Sequence, residues 1–191
     1  MSDIDHLNIF NFYSKVDPRH ENNLTRAFLV MLKNSPSLFN HFVERIKKKA
    51  GISEIDTSSD VSEILFMTQT GRDLTEHACN VVVPIIITER EIPVVSYMES
   101  GLPDRISGKN IADGVICIKP NIALTIEIKP HDHVVWSQVY GHVNIFGDEV
   151  ERMNAVNLTW YEIVKLMNDL KLFQSKFFEN RYFTAGLEAR I

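Results

Sequence analysis

Between Ile111 and Pro130 the sequence reads IADGVICIKPNIALTIEIKP, and three charged residues, Asp113, Glu127 and Lys129, interrupt two runs otherwise dense in Ile, Val, Leu and Ala. An isolated charge buried in such a run costs several kcal/mol unless something pairs with it, so two acids and an amine need a common explanation. Lys119-Pro120-Asn121 is the turn signal between the runs. A hairpin closed on those three residues pairs Ile118 with Ile122 and sets Asp113 directly across from Glu127, on one face, with Cβ atoms roughly 4.5 to 5.5 Å apart. Lys129 shares that face because strand side chains alternate. A slip of one residue would send Glu127 to the opposite face from Asp113.

Carboxylates this close repel unless one is protonated or a cation lies between them. Mg²⁺ suits the pair, because it takes oxygen ligands and is usually held by one or two protein carboxylates, water and substrate phosphate. A lysine beside it can neutralise phosphate charge or orient an attacking water. The plainer alternative is an ion pair between Lys129 and Glu127 on a solvent-facing strand.

The elements around these residues set the fold class. Asp17-Pro18 reads as an N-cap and first helical residue, followed by Leu24, Ala27, Phe28, Met31 and Leu32 at helical spacing. A second helix carries Leu38, Phe39, Phe42, Val43 and Ile46 through Lys47, Lys48 and Lys49, residues that suit the helix dipole, to a stop at Gly51. The segments ILFMTQT, CNVVVPIIIT and IPVVSYME have the β-branched texture of strands, and the stretch from Ile111 supplies two more. After His131 a helical stripe returns at Trp136, Val139, Tyr140, Val143 and Phe146, and Thr159-Trp160-Tyr161-Glu162 starts another helix. Helices, mostly sequential strands and then helices predict a mixed α/β sheet flanked by helices, not a doubly wound nucleotide fold. The sequence contains no GxGxxG, P-loop or GxSxG pattern.

The 191 residues, 45% hydrophobic and 24% charged, have the composition of one globular domain, with a core over about 17–160 and C-terminal helices over 160–191. A net charge of −5 excludes a global basic field, so a polyanion partner must be held locally. Cys79 and Cys117 sit in apolar runs and read as buried reduced thiols. The N-terminus lacks signal-peptide features and no apolar run approaches the roughly 20 residues of a membrane span. A cytoplasmic protein is expected.

Asp113-Gly114 followed by Glu127-Ile128-Lys129 resembles the D...(E/D)-x-K signature of the PD-(D/E)XK nuclease superfamily, with its restriction-endonuclease-like αβββαβ core. The resemblance covers approximately residues 17 to 147. It implies a Mg²⁺-dependent phosphodiesterase, with Mn²⁺ able to substitute, acting on nucleic acid, DNA being the expected substrate, in a setting such as restriction or anti-phage defence. By that resemblance Asp113, Glu127 and the Ile128 carbonyl bind the metal and Lys129 assists the nucleophilic water. Glu21 in ENNLTRAFL is a further acid toward the metal, and Gln138 in WSQVYGHV orients the lysine or touches the substrate backbone. The recombination-exonuclease branch carries an aromatic residue four positions after that glutamine, where this chain has His142. The literal Pro103-Asp104 lies in the preceding loop, beyond the strand, and Asp113 is preferred as the ligand.

A different class of reading is a nuclease-like fold kept as a nucleic-acid-binding or protein-assembly module, its acidic pair structural. His131 and His133 in KPHDHVV lack zinc-site spacing, and Asp132 reads as a helix N-cap there. Arg45 to Lys49, RIKKK, reads as a solvated helix end or a contact to a phosphate backbone. The Phe-rich end, Phe173 to Ile191, reads as a homodimer or partner contact, or as the lead into a further domain.

Overall fold

Helices α1 (His20–Asn34) and α2 (Pro36–Ala50) form the layer that covers one face of a central sheet. The computed structural model describes residues 20–52, 64–70, 74–75, 79–98, 111–129 and 133–171, without the side chains of 20–23 and 69–70. Helix α2 is built as its periodicity predicts: Leu38, Phe39, Phe42, Val43 and Ile46 are buried, Pro36 lies in its first turn, and Gly51 ends it at φ 71° with its N–H on the Lys47 carbonyl. Only glycine takes that left-handed cap without a Cβ penalty. Helix α1 is rotated from the expected stripe: Thr25, Phe28, Leu29 and Leu32 are buried, whereas Leu24 and Ala27 are exposed. Thr25 turns its methyl to the sheet, so a residue that counts as polar joins the apolar face. The expected start at Asp17-Pro18 lies outside the described residues.

The strands are β1 (Ile64–Thr70), β2 (Val81–Thr88), β3 (Ala112–Ile118), β4 (Ile122–Lys129), β5 (Glu151–Arg152) and β6 (Val156–Thr159). Among the described residues they form one mixed sheet in the order β1-β3-β4-β2, with β5 and β6 in succession along the far edge of β2. β3 runs antiparallel to both of its neighbours, β1 and β4, while β2 runs parallel to β4, β5 and β6. The mixed α/β sheet flanked by helices is therefore the fold, but the strand order is less sequential than the chain suggests. β2 inserts between β4 and β6 instead of lying beside β1. Buried along seven of its eight residues, it shows the continuous apolar run of a strand covered on both faces. Pro84, which has no N–H to give, falls between the β5 pairing at Val82 and the β6 pairing at Ile85, the interval in which that edge of β2 has no ladder partner among the described residues.

One expected strand is absent. IPVVSYME is irregular from Ile92 to Ser96 and turns at Tyr97 and Met98, Glu99 lying outside the described residues. Side chains take over the ladder's role here: the Ile92 N–H donates to Asn157 Oδ1 (3.0 Å) and the Tyr97 N–H to Asn154 Oδ1 (2.9 Å).

Ile116, Ile118, Leu124, Ile126 and Ile128 pack with α1, α2 and the buried Ile163 of α4, the helix described over residues 160–171. Val115, Cys117 and Ala123 point to the other face and pack with the 3-10 segment His142–Phe146, which continues α3 (Trp136–Gly141); α3 itself packs on Ile86 of β2 on that same face. Helix α4 opens on reciprocal bonds, the Glu162 N–H to Thr159 Oγ1 and the Thr159 N–H to Glu162 Oε2, the capping box that the sequence signals. No described helix is long and apolar enough to cross a membrane.

Candidate active site

The hairpin register fixes the geometry. β3 ends at Ile118 and β4 begins at Ile122, paired across the turn Lys119-Pro120-Asn121, in which the Asn121 N–H returns to the Ile118 carbonyl (2.9 Å). The ladder continues to Gly114 opposite Ile126. Asp113 and Glu127 are the next step along, and alternation turns both to the α3 face with Lys129.

Gly114 permits this placement from the opposite side of the sheet. A Cβ added there would lie 3.0 Å from Leu29 Cδ1 and 3.1 Å from Thr25 Cγ2, so α1 sits against bare backbone just where Asp113 turns away from it.

Glu127 is the centre of the site. Its side chain is 2% exposed, and its Oε1 takes the Lys129 ammonium at 2.7 Å and an N–H from Gln138 Nε2 at 3.0 Å. His142 Nδ1 stands 3.5 Å from Oε2. Gln138 and His142 are four residues apart, hence on one side of the α3 segment, and meet the same carboxylate. Burial holds the His142 imidazole down, to about 4, against the charge of Asp113, with Lys129 adding to the burial effect. The ring is thus neutral near neutral pH. Lys129, 16% exposed, and the exposed Gln138 rim the site, with half-buried Asp113 beside them.

Asp113 Oδ2 and Glu127 Oε2 are buried and accept no hydrogen bond from the described residues. Such oxygens suit a hard cation. Among the described residues no three or more His, Cys, Asp or Glu side chains gather as a metal-binding group, and the donor set fits the Mg²⁺ mode of one or two carboxylates plus water instead of a protein cage. Ile128 turns its side chain into the opposite core, which leaves its backbone carbonyl as the donor it has to offer. The Glu21 side chain and Pro103-Asp104 lie outside the described residues.

His142 is the site member that sequence reading passed over. Its i+4 spacing from Gln138 is the available signal, but by the family resemblance the position answers to an aromatic slot.

Several further expectations concern individual residues in and around the site. The solvated-strand ion pair is corrected in one respect: Lys129 and Glu127 do pair, but on a buried strand. Helix α3 starts from Val135 without a side-chain cap, not from Asp132, which lies with His131 outside the described residues; His133 is exposed. In the RIKKK run, Arg45 (2.6 Å) and Lys49 (2.9 Å) both pair with Glu162, and Lys47 with Glu44, so much of this charge ties α2 to α4. Cys79 and Cys117 are free and buried. The Phe173 to Ile191 segment lies outside the described residues.

Compared with protein-family models, curated proteins and solved structures, the chain has no match.

Proposed function

We propose that this chain is a metal-dependent phosphodiesterase acting on nucleic acid, with DNA as substrate and Mg²⁺, or Mn²⁺ in its place, as cofactor; restriction or anti-phage defence is the setting we propose for it. The observation that carries the reading is the register of β3 on β4, which turns Asp113 and Glu127 to one face beside Lys129 and Gln138. Asp113, Glu127 and the Ile128 carbonyl would hold the cation. When bound, such an ion supplies charge neutralisation at the phosphoryl oxygens and a more acidic water. Gln138 keeps one Glu127 oxygen turned to the helix. Lys129, at the rim, brings a positive charge beside the acidic pair and so would draw in the phosphate backbone.

One observation favours a second reading. The Lys129 ammonium already compensates Glu127 at 2.7 Å, as a structural pair in a nucleic-acid-binding or assembly module would. Supercoiled plasmid incubated with Mg²⁺ or Mn²⁺ separates the two. Nicking by the wild type that is lost in Asp113→Ala, Glu127→Ala and Lys129→Ala supports hydrolysis, and equal behaviour of all four proteins supports the module.

A further inference from the structure

Glu127 is held unequally. Oε1 meets two partners, Lys129 at 2.7 Å and Gln138 at 3.0 Å, whereas Oε2 faces the His142 ring at 3.5 Å. That spacing is longer than a formed hydrogen bond, yet both side chains are 2% exposed and the ring is wedged on the same face as Asp113. The backbone prepares the position: α3 gives way to the 3-10 segment at His142, whose N–H caps the carbonyls of Gln138 and Tyr140. Its neighbours Gly141 and Val143 are buried, so the ring's place is set by packing on both sides.

We propose that His142 is a positioning residue: its Nδ1–H closes on Glu127 Oε2 when the site takes a divalent cation, fixing the rotation of the carboxylate so that its lone pairs face Asp113. This rests on the reading of Asp113 and Glu127 as metal ligands. Partners of this kind orient first ligands, and their loss typically weakens metal affinity roughly 10- to 100-fold. Gln138 meets Oε1 and His142 faces Oε2, so the two residues address different oxygens of the same carboxylate.

The test is Mn²⁺ binding by the full chain without nucleic acid, followed by electron paramagnetic resonance. Two isosteric amides replace the ring: His142→Asn puts an N–H where Nδ1 stands, and His142→Gln puts it where Nε2 stands. Wild type and His142→Asn should bind with similar affinity, and His142→Gln about 10- to 100-fold more weakly. A merely structural role would not tell the two amides apart, and thermal unfolding of both variants identifies any that fails to fold. His142→Phe, close in shape and without nitrogen, is the further variant and should behave like His142→Gln. If the wild type takes up no Mn²⁺, the metal reading of Asp113 and Glu127 falls. If it does, and His142→Gln or His142→Phe binds as tightly as His142→Asn, the positioning role of His142 falls while the metal site stands.

Discussion

Lys129 and Glu127 are two residues apart on β4, and their charged groups meet at 2.7 Å with the carboxylate 2% exposed. A side chain two positions along a strand returns to the same face, so this ion pair is a direct consequence of strand period. Removing one partner of a buried pair leaves an uncompensated charge, which typically costs more than the pair itself contributes. Lys129→Met should therefore lose about 3 kcal/mol in urea denaturation with chelator present, and Lys129→Met/Glu127→Gln clearly less. Added Mn²⁺ should restore part of the loss in Lys129→Met alone, since an ion that binds only the native state stabilises it by mass action.

Gln138 holds the same oxygen from the helix side at 3.0 Å and is exposed apart from that contact. Gln138→Ala should reduce plasmid nicking by about 10- to 100-fold while changing unfolding free energy by no more than about 1 kcal/mol. A loss of stability as large as the loss of rate would mark Gln138 as a scaffold residue.

Gly114 stands where α1 crosses the sheet. The missing Cβ would meet Leu29 at 3.0 Å and the stiff Thr25 methyl at 3.1 Å, and Leu29 is fully buried. Gly114→Ala should destabilise the fold by about 1 to 3 kcal/mol, read as a lower urea midpoint. A neutral or stabilising result would show that α1 is not fixed by this contact.

Glu162 joins α2 to α4 through Arg45 at 2.6 Å and Lys49 at 2.9 Å and caps α4 through the Thr159 N–H. Burial opposes its charge, but these partners prevail and hold the carboxyl down from 4.5 to about 2. A carboxyl more acidic in the folded state adds stability that is complete above its unfolded value and disappears as pH falls through its folded value. Stability should thus decline between pH about 4.5 and about 2, and Glu162→Gln, weaker at neutral pH, should give a flatter curve across that window. Parallel curves for the two proteins would assign the acid sensitivity to other groups.

The hairpin was legible because its logic is local. A three-residue turn and a two-residue period decide that Asp113 and Glu127 point the same way, and no distant residue has to be known. Helix α2 and the α4 capping box were legible for the same reason: spacing, cap and stop all lie within a few residues. What failed locally was the reading of side chains whose role depends on what packs above them. Thr25 is polar by type but lies under the sheet, and Ile92 to Met98 is strand-like by composition but has its amides taken by Asn154 and Asn157, more than fifty residues on.

The amino-acid order by itself thus determined the acidic hairpin, its register and the face on which Lys129 falls. Only the tertiary structure decided that β2 enters between β4 and β6, and that Gln138 and His142 descend on the two oxygens of Glu127. The reason is physical: alternation is a property of one strand, whereas the choice of neighbour depends on how the whole apolar surface is buried, which no single segment encodes.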